Sequence, residues 1–446
     1  MYLAAFSVGE LKAWTSTALP VLESNKSPLG KPITATQGSW LGSIIYLSAA
    51  LACPFHGFVL QNWGRKMTGY FTVISLVIGW SFLLLSKSIA IFYVGRFLQG
   101  IGLSGTMIFN SIYVSEIAED KIRGALVCLR NVFFMTGILV MYSLKSYLSL
   151  TTIAFVCMIT PATFLLLFFW IPESPMYFMT KGLSEEAVNS YLWLRDGDTK
   201  KVEEEIKKLS LIVQGNNMNF KEVLAVRGTK KALYIIFILS IITQLSGSNV
   251  LLVYASKLFD ISGSGVSTYT STVIVGVILV LGSVASIFLA DSLGRRILLM
   301  SSWTFQSAAL IILGVYLFVK DLGCDVNAWK VLPVLCLSVF SFSFVAGSGS
   351  LIYLIAAEIF RPEARNLAAN ICCVNWLIGF LATRLHHDLD TVIGLHGCFW
   401  LYGSISIIGI IFTYYKLPET KNRSLESILR ELNEDPSIDG ASKIKR

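Results

Sequence analysis

Long apolar runs separated by short charged segments make up most of this chain. Ten stretches of more than seventeen residues contain no Asp, Glu, Lys or Arg. Two further stretches, 1–20 and 124–144, become comparable if Glu10, Lys12 and Arg130 are allowed inside them. Because a bilayer core of about 30 Å requires roughly 20 helical residues, the pattern predicts an all-α membrane protein with twelve transmembrane helices. The ten uninterrupted stretches are 32–64, 67–86, 97–115, 146–172, 232–256, 261–290, 297–319, 331–357, 366–383 and 391–415.

Composition agrees with a chain that is solvated mainly by lipid. Of its 446 residues, 54% are hydrophobic and only 14% are charged, which does not fit a water-soluble globule. The net charge of +8 does not indicate nucleic-acid binding, since the cations are scattered between apolar runs. Basic residues are retained on the cytoplasmic side, and their distribution predicts that both termini are cytoplasmic. We expect an integral protein of the plasma membrane.

The chain is predicted to consist of two similar halves. We expect a six-helix bundle over 1–172, a cytoplasmic linker with short helices over 173–231, a second bundle over 232–416 and a cytoplasmic tail over 417–446. Three signatures recur between the halves at offsets between 230 and 246 residues, as in a duplicated transporter. The pairs are Gly64-Arg65-Lys66 with Gly294-Arg295-Arg296, Glu116 and Arg123 with Glu358 and Arg365, and Pro172-Glu173-Ser174 with Pro418-Glu419-Thr420.

Several motifs together resemble those of the sugar porter family of the major facilitator superfamily. They are the Gly-Arg turns, Arg96 between Gly95 and Gly100, Pro172-Glu-Ser-Pro175, Gln244-Leu-Ser-Gly-Ser-Asn249 and the segment from Pro418 to Glu426. The segments 9–19 and 37–40 are most similar to those of insect facilitated trehalose transporters. The resemblance implies a membrane-embedded carrier for a small sugar, trehalose or a hexose, that is not an enzyme. It implies no cofactor, no metal and no obligate protein partner.

The repeated charged residues are candidates for a gate. The resemblance implies ion pairs between the two halves that close the cytoplasmic side in one state and break in another. The alternative is a set of solvated surface charges, because exposed pairs contribute little stability. The candidates are Arg65, Lys66, Glu116, Arg123, Glu173, Arg295, Arg296, Glu358, Arg365 and Glu419.

A sugar site requires amides, hydroxyls and aromatic faces, and we expect it to carry no fixed charge. Spacing brings Gln244 and Asn249 to one side of a helix, with Ser246 between them and Thr243 beside them. The resemblance adds Asn131, Tyr353, Asn375 and Trp376. For each amide, the alternative is a hydrogen bond between helices.

Some positions depart from the family pattern. Thr243 and Leu279 stand where the family has Gln and Asn, and the segment Gly347–Tyr353 lacks two prolines of the family motif. These departures leave open whether a carrier has become a sugar sensor that transports nothing.

A second alternative is proton-coupled transport. Charges inside membrane spans are costly and indicate function, and Glu10 and Arg96 are similar in position to a coupling pair in proton-driven relatives. We expect facilitated transport, with a proton symporter as the alternative. Asn25-Lys-Ser27 is a glycosylation sequon in a predicted external loop.

Overall fold

The computed structural model describes residues 1–25, 27–119, 122–215, 227–263, 265–359, 365–423 and 425–433, and these residues form helices joined by short connections. In the first half the helices are α1 (Tyr2–Leu22), α2 (Ala35–Asn62), α3 (Arg65–Leu84), α4 (Ile89–Ile117), α5 (Arg123–Leu144) and α6 (Leu150–Phe168). Three short helices follow: α7 (Pro175–Thr180), α8 (Ser184–Leu194) and α9 (Thr199–Gly215). The second half contains α10 (Arg227–Leu245), α11 (Ser248–Ser262), α12 (Thr268–Leu293), α13 (Arg295–Asp321), α14 (Leu332–Ala346), α15 (Ser348–Ile359), α16 (Arg365–Lys416) and the terminal α17 (Leu425–Asn433).

The helix count is consistent with twelve membrane spans. Helices α1 to α6 supply six, and α12 and α13 supply one each. The pairs α10–α11 and α14–α15 each form one span that is broken in the middle, whereas α16 folds back at Gly394 and supplies two. Within the described ranges, nine segments are long and apolar enough to cross a membrane; the segment 373–416 covers both spans of α16.

Local sequence explains where several helices begin. Thr34 caps α2 through a reciprocal pair of hydrogen bonds with Gln37, and Ser88 and Ser149 cap α4 and α6. Helices α3 and α13 start instead at Gly64 and Gly294, whose φ angles of 98° and 86° favour glycine.

Small residues allow α1 to pack tightly on α5. A Cβ atom added to Gly9 would lie 2.0 Å from the backbone oxygen of Phe134, and one added to Gly137 would lie 2.1 Å from that of Phe6. Close backbone approach of this kind is typical of membrane helices. The two halves then meet where α1 contacts α11, α2 contacts α16 and α5 contacts α12.

The predicted short helices of the linker are present as α7, α8 and α9. Arg195 at the end of α8 connects them to the bundle, since it donates to Ile117 O at 3.1 Å and to the Glu205 carboxylate at 3.0 Å. The linker therefore packs against the end of α4.

Candidate functional site

A break between α10 and α11 forms the centre of the site. Gly247 adopts the left-handed conformation, with φ 88°, and an added Cβ would lie 2.7 Å from the Tyr402 ring. Only glycine fits both constraints easily. The break places Gln244 at the end of one half-helix and Asn249 at the start of the next.

These two amides form a hydrogen-bonded pair within the second half, where α11 contacts α1 of the first half. Asn249 Nδ2 donates to Gln244 Oε1, and both side chains are buried. Gly379 of α16 packs behind the pair, because a Cβ there would lie 3.0 Å from Asn249 Nδ2 and 3.3 Å from Gln244 Oε1. The structure brings Gln244 and Asn249 together across the helix break, and not along one side of a continuous helix as the spacing predicts; contact with sugar stays a prediction.

A lysine from α1 enters this amide pair. Lys12 Nζ donates to Asn249 Oδ1 at 3.0 Å, and the lysine is 7% exposed. The expectation of a site without fixed charge is therefore wrong. The sequence alone places Lys12 inside the first span without indicating a partner, whereas the structure directs it to the contact between the halves.

Aromatic rings surround the lysine. Tyr46 of α2 stacks on Trp376 of α16 with ring centroids 6.0 Å apart and planes 18° apart. Lys12 Nζ lies 5.3 Å from the centroid of Tyr46, 5.8 Å from that of Phe134 and 5.6 Å from that of Trp376. Trp376 is thus brought to the centre as expected, whereas Tyr46 and Phe134 were missed because aromatic residues are common in apolar runs.

The other residues predicted to contact the sugar differ in their surroundings. Asn375 Nδ2 donates to Tyr353 Oη at 3.2 Å, and its Oδ1 atom is buried without a hydrogen-bond partner among the described residues. Thr243 and Ser246 donate to carbonyls of their own helix, Leu239 O and Thr243 O. Asn131 is half-buried on α5, one turn from Phe134. The structure joins Asn375 to Tyr353 and leaves the roles of Thr243, Ser246 and Asn131 as predictions.

A second broken span packs against the first, at Gly347 between α14 and α15. Ser302 of α13 accepts from Ser348 N at 3.0 Å and donates to Ser343 O at 2.8 Å. Gln306 Nε2 donates to Ser302 Oγ at 2.7 Å and to Ser348 Oγ at 2.9 Å. Side chains of α13 therefore satisfy the backbone groups that the break releases, as broken membrane helices require.

The charged turn of the first half is built around two carboxylates. Glu173 accepts from the backbone N–H groups of Arg65 and Lys66 at 3.0 and 2.8 Å. Arg65 pairs with Glu116, with Nη2 and Oε1 2.6 Å apart. An added Cβ on Gly64 would lie 2.3 Å from Glu173 Oε2, which explains the glycine. Burial raises the pKa of Glu173 despite its backbone donors, of which Ser174 contributes most.

The second half repeats this arrangement. Glu419 accepts from the backbone N–H groups of Arg295 and Arg296 at 3.0 and 3.1 Å, and Arg295 Nη2 lies 2.8 Å from Glu358 Oε1. Burial of Glu419 is outweighed by its backbone donors, the largest being Lys421 N–H, so its pKa is lowered. The duplicated geometry supports the internal repeat predicted from the sequence.

Pairing within each half corrects one expectation. Arg65–Glu116 and Arg295–Glu358 join residues of the same half, so the prediction that these pairs bridge the halves is wrong for them. The reason is geometric: each carboxylate lies in the last turn of a helix that is a neighbour of the arginine's own helix. The side chains of Arg123 and Arg365 lie outside the described residues.

Polar contacts between the halves occur at the opposite end of the bundle, which we call the loop end because it carries residues 23–34. Glu23 pairs with Lys257 of α11 at 3.1 Å. Arg384 of α16 lies over the Trp40 ring, 5.3 Å from its centroid. Asn25 is exposed in the turn at this end. In this conformation an ion pair and a cation–π contact therefore hold the two halves together at the loop end.

Glu10 and Arg96 are both buried but do not pair with each other. Arg96 donates to Leu11 O, Thr15 Oγ1 and Gln99 Oε1, each at 2.8 Å. Glu10 Oε1 accepts from Thr160 at 3.4 Å. The proposed coupling pair is therefore wrong as a direct contact in this conformation, since the two side chains leave α1 and α4 toward different partners.

Comparisons with known proteins agree with this architecture. A family model described as "Sugar (and other) transporter" matches residues 8–432. The chain is 31% identical to the facilitated trehalose transporter Tret1 of Apis mellifera ligustica and 30% identical to that of Bombyx mori. These alignments cover 96% of this chain and 86% and 85% of those proteins.

Two solved structures have a similar fold. One is the proton:xylose symporter XylE bound to 6-bromo-6-deoxy-D-glucose, with TM-score 0.78, 21% identity and 97% of each chain covered. The other is an inward open conformation of the xylose transporter XylE from E. coli, with TM-score 0.78 and 20% identity, covering 97% of this chain and 99% of that one. At these identities the likeness concerns the fold alone.

Proposed function

The chain belongs to the sugar transporter family of the major facilitator superfamily, and we propose that it carries a sugar, trehalose or a hexose, across the plasma membrane by facilitated transport. The observation that carries this proposal is the central group of Gln244, Asn249 and Trp376. Two amides lie at the break between α10 and α11, and Trp376 of α16 adds an aromatic face that stacks on Tyr46 of the first half. Sugar hydroxyls both donate and accept, and amides can satisfy both needs.

Exchange between two conformations would move the sugar. In the conformation described here, the halves are held together at the loop end by Glu23 and Lys257. We propose that this end faces outside, so that Asn25 is accessible for glycosylation and both termini are cytoplasmic. Opening the loop end would break that pair, whereas the charged turns stay intact because their ion pairs lie within one half.

Proton-coupled transport is the second candidate. It is favoured by the buried Glu10, whose Oε2 atom has no hydrogen-bond partner among the described residues, and by the printed name of XylE as a proton:xylose symporter. Facilitated transport is preferred because Arg96 is already satisfied by three acceptors on α1 and α4. A sugar sensor without flux is the remaining alternative from the sequence.

Uptake by reconstituted vesicles tests these proposals. Labelled trehalose and glucose should equilibrate across the membrane, with no accumulation when a pH gradient is imposed and no loss when a protonophore is added. Accumulation that the protonophore abolishes would establish symport. Saturable binding without flux would establish a sensor.

A substitution at the central amide tests the site. Asn249→Ala removes the amide proposed to bind a sugar hydroxyl, and one hydrogen bond is worth about 1 kcal/mol, so KM should rise about fivefold or more. Asn62→Ala is the matched control, since the Asn62 side chain donates to Phe58 O at the exposed end of α2. Equal KM values for both variants would refute the site.

A further inference from the structure

Lys12 carries a buried positive charge at the point where the substrate would bind. Its ammonium has three donors, and the described contacts are one hydrogen bond, to Asn249 Oδ1, and three aromatic faces. Asn249 belongs to the central amide pair, so any ligand that reaches Gln244 and Asn249 also meets the ammonium. Lys12 is therefore part of the site rather than a neighbour of it.

No carboxylate of the described residues compensates this charge. None of the described ion pairs within 4.0 Å includes Lys12. Glu23, at the loop end, pairs instead with Lys257 of α11. Glu10 is two positions from Lys12 on α1, which is a rotation of about 200° on a helix. Glu10 accordingly contacts Thr160 of α6, on the other side of α1.

An uncompensated buried ion is costly. Taking an ammonium out of water costs several kcal/mol, and aromatic faces recover only part of this. Moreover, Lys12 and Asn249 come from different halves, so the hydrogen bond between them depends on how the halves are arranged. A bound anion would supply both the missing charge and a stronger, charge-assisted hydrogen bond.

We propose that the substrate of this carrier is a sugar bearing a carboxylate, whose carboxylate pairs with Lys12 while its ring packs on Tyr46 and Trp376 and its hydroxyls bind Gln244 and Asn249. A hexuronate has this chemistry. The inference rests on the proposed sugar transport and replaces the neutral sugar proposed above with an acidic one. A neutral sugar can use the same amides but leaves the lysine without a counter-charge.

Competition between an acid and its neutral ester tests the inference directly. D-glucuronate, its methyl ester and sodium acetate are titrated against purified protein, with intrinsic tryptophan fluorescence as the binding signal, and the same compounds compete with labelled glucose uptake in vesicles. The variants are Lys12→Met and Lys12→Arg, with Lys87→Met as the matched control because Lys87 is exposed in the loop after α3.

Wild-type protein should bind glucuronate about tenfold or more tightly than the ester, the gain expected from one charge-assisted hydrogen bond. Lys12→Met should remove this preference, whereas Lys12→Arg and Lys87→Met should keep it. Equal or tighter binding of the ester by the wild type would overturn the inference, and that comparison decides even if Lys12→Met does not fold. Retained preference in a folded Lys12→Met protein, or acetate competing as well as glucuronate, would overturn it too.

Flux separates this inference from the proposed function. If glucuronate does not compete with glucose uptake, the protein is a sugar carrier and the inference of an acidic substrate is refuted. Binding that prefers glucuronate through Lys12, with no flux of any sugar, supports the inference and refutes transport.

Discussion

Gly379→Ala is the sharpest test of how the central amides are held. The added methyl group would lie 3.0 Å from Asn249 Nδ2 and 3.3 Å from Gln244 Oε1, whereas carbon atoms pack without strain at about 3.5–4.0 Å. The amides must therefore move by several tenths of an ångström, which weakens the hydrogen bond between them. Loss of that bond costs about 0.5–1.5 kcal/mol, so we expect sugar affinity to fall by a factor of about two to twelve.

The assay is the KM for labelled glucose in reconstituted vesicles, together with thermal unfolding of the purified protein. Gly57→Ala is the matched control, since Gly57 also lies within a helix and a Cβ there would contact nothing within 4 Å. The control should keep its KM and gain slight stability, because alanine favours helix. A Gly379→Ala protein with the KM of the control would refute the geometry proposed for the amide pair.

Three further predictions concern the two ends of the bundle. Lys257→Met or Glu23→Gln removes an ion pair worth at most about 1 kcal/mol, so the population of the conformation open at the loop end should rise by up to about fivefold. Cross-linking across the loop end measures this population. Unchanged cross-linking would show that the pair does not hold the loop end closed. Gly64→Ala forces a side chain into φ 98° and against Glu173, and should cost about 1–3 kcal/mol in thermal unfolding relative to the Gly57→Ala control; an equal melting temperature would contradict this. The pKa of Glu419 is lowered by its backbone donors, so its stabilising contribution is present above pH 4.5 and is lost as the pH falls through the lowered value, whereas burial raises the pKa of Glu173. Glu419→Gln should therefore lower the melting temperature at pH 7 more than Glu173→Gln does. This difference between the two variants should shrink below pH 4.5.

Hydrophobic spacing and local motifs predicted most of the fold. The membrane spans follow directly from apolar length, and the Gly-Arg turns follow from their repetition, since Gly64 and Gly294 both start a helix with a positive φ angle. The ion-pair partners of Arg65 and Arg295 could not be predicted from the sequence in the same way. Glu116 and Glu358 recur at equal spacing whether they bind their own half or the other, so spacing could not distinguish the two arrangements.

The central site was predicted only in part, because its members lie on six helices, α1, α2, α5, α10, α11 and α16. Gln244 and Asn249 share a motif and were found together, whereas Lys12, Tyr46 and Gly379 lie far away along the chain. The one sequence feature that could have indicated Lys12 as part of the site is that it is a charged residue inside the first apolar run. Its direction could not be read from α1 alone, because that helix is buried on nearly every side.

The broken spans show why missing prolines do not by themselves argue against transport. The segment Gly347–Tyr353 lacks the prolines of the family motif, yet the helix ends at Ala346 and begins again at Ser348. Ser302 and Gln306 of α13 bind the residues at the break, and an added Cβ on Gly347 would lie 2.3 Å from Ser302 Cβ. The bend is thus held by the neighbouring helix rather than by the ring of a proline. The bend is therefore present without the prolines, so their loss is compatible with alternating access, and a substitution of Ser302 is the change expected to disturb the bend most.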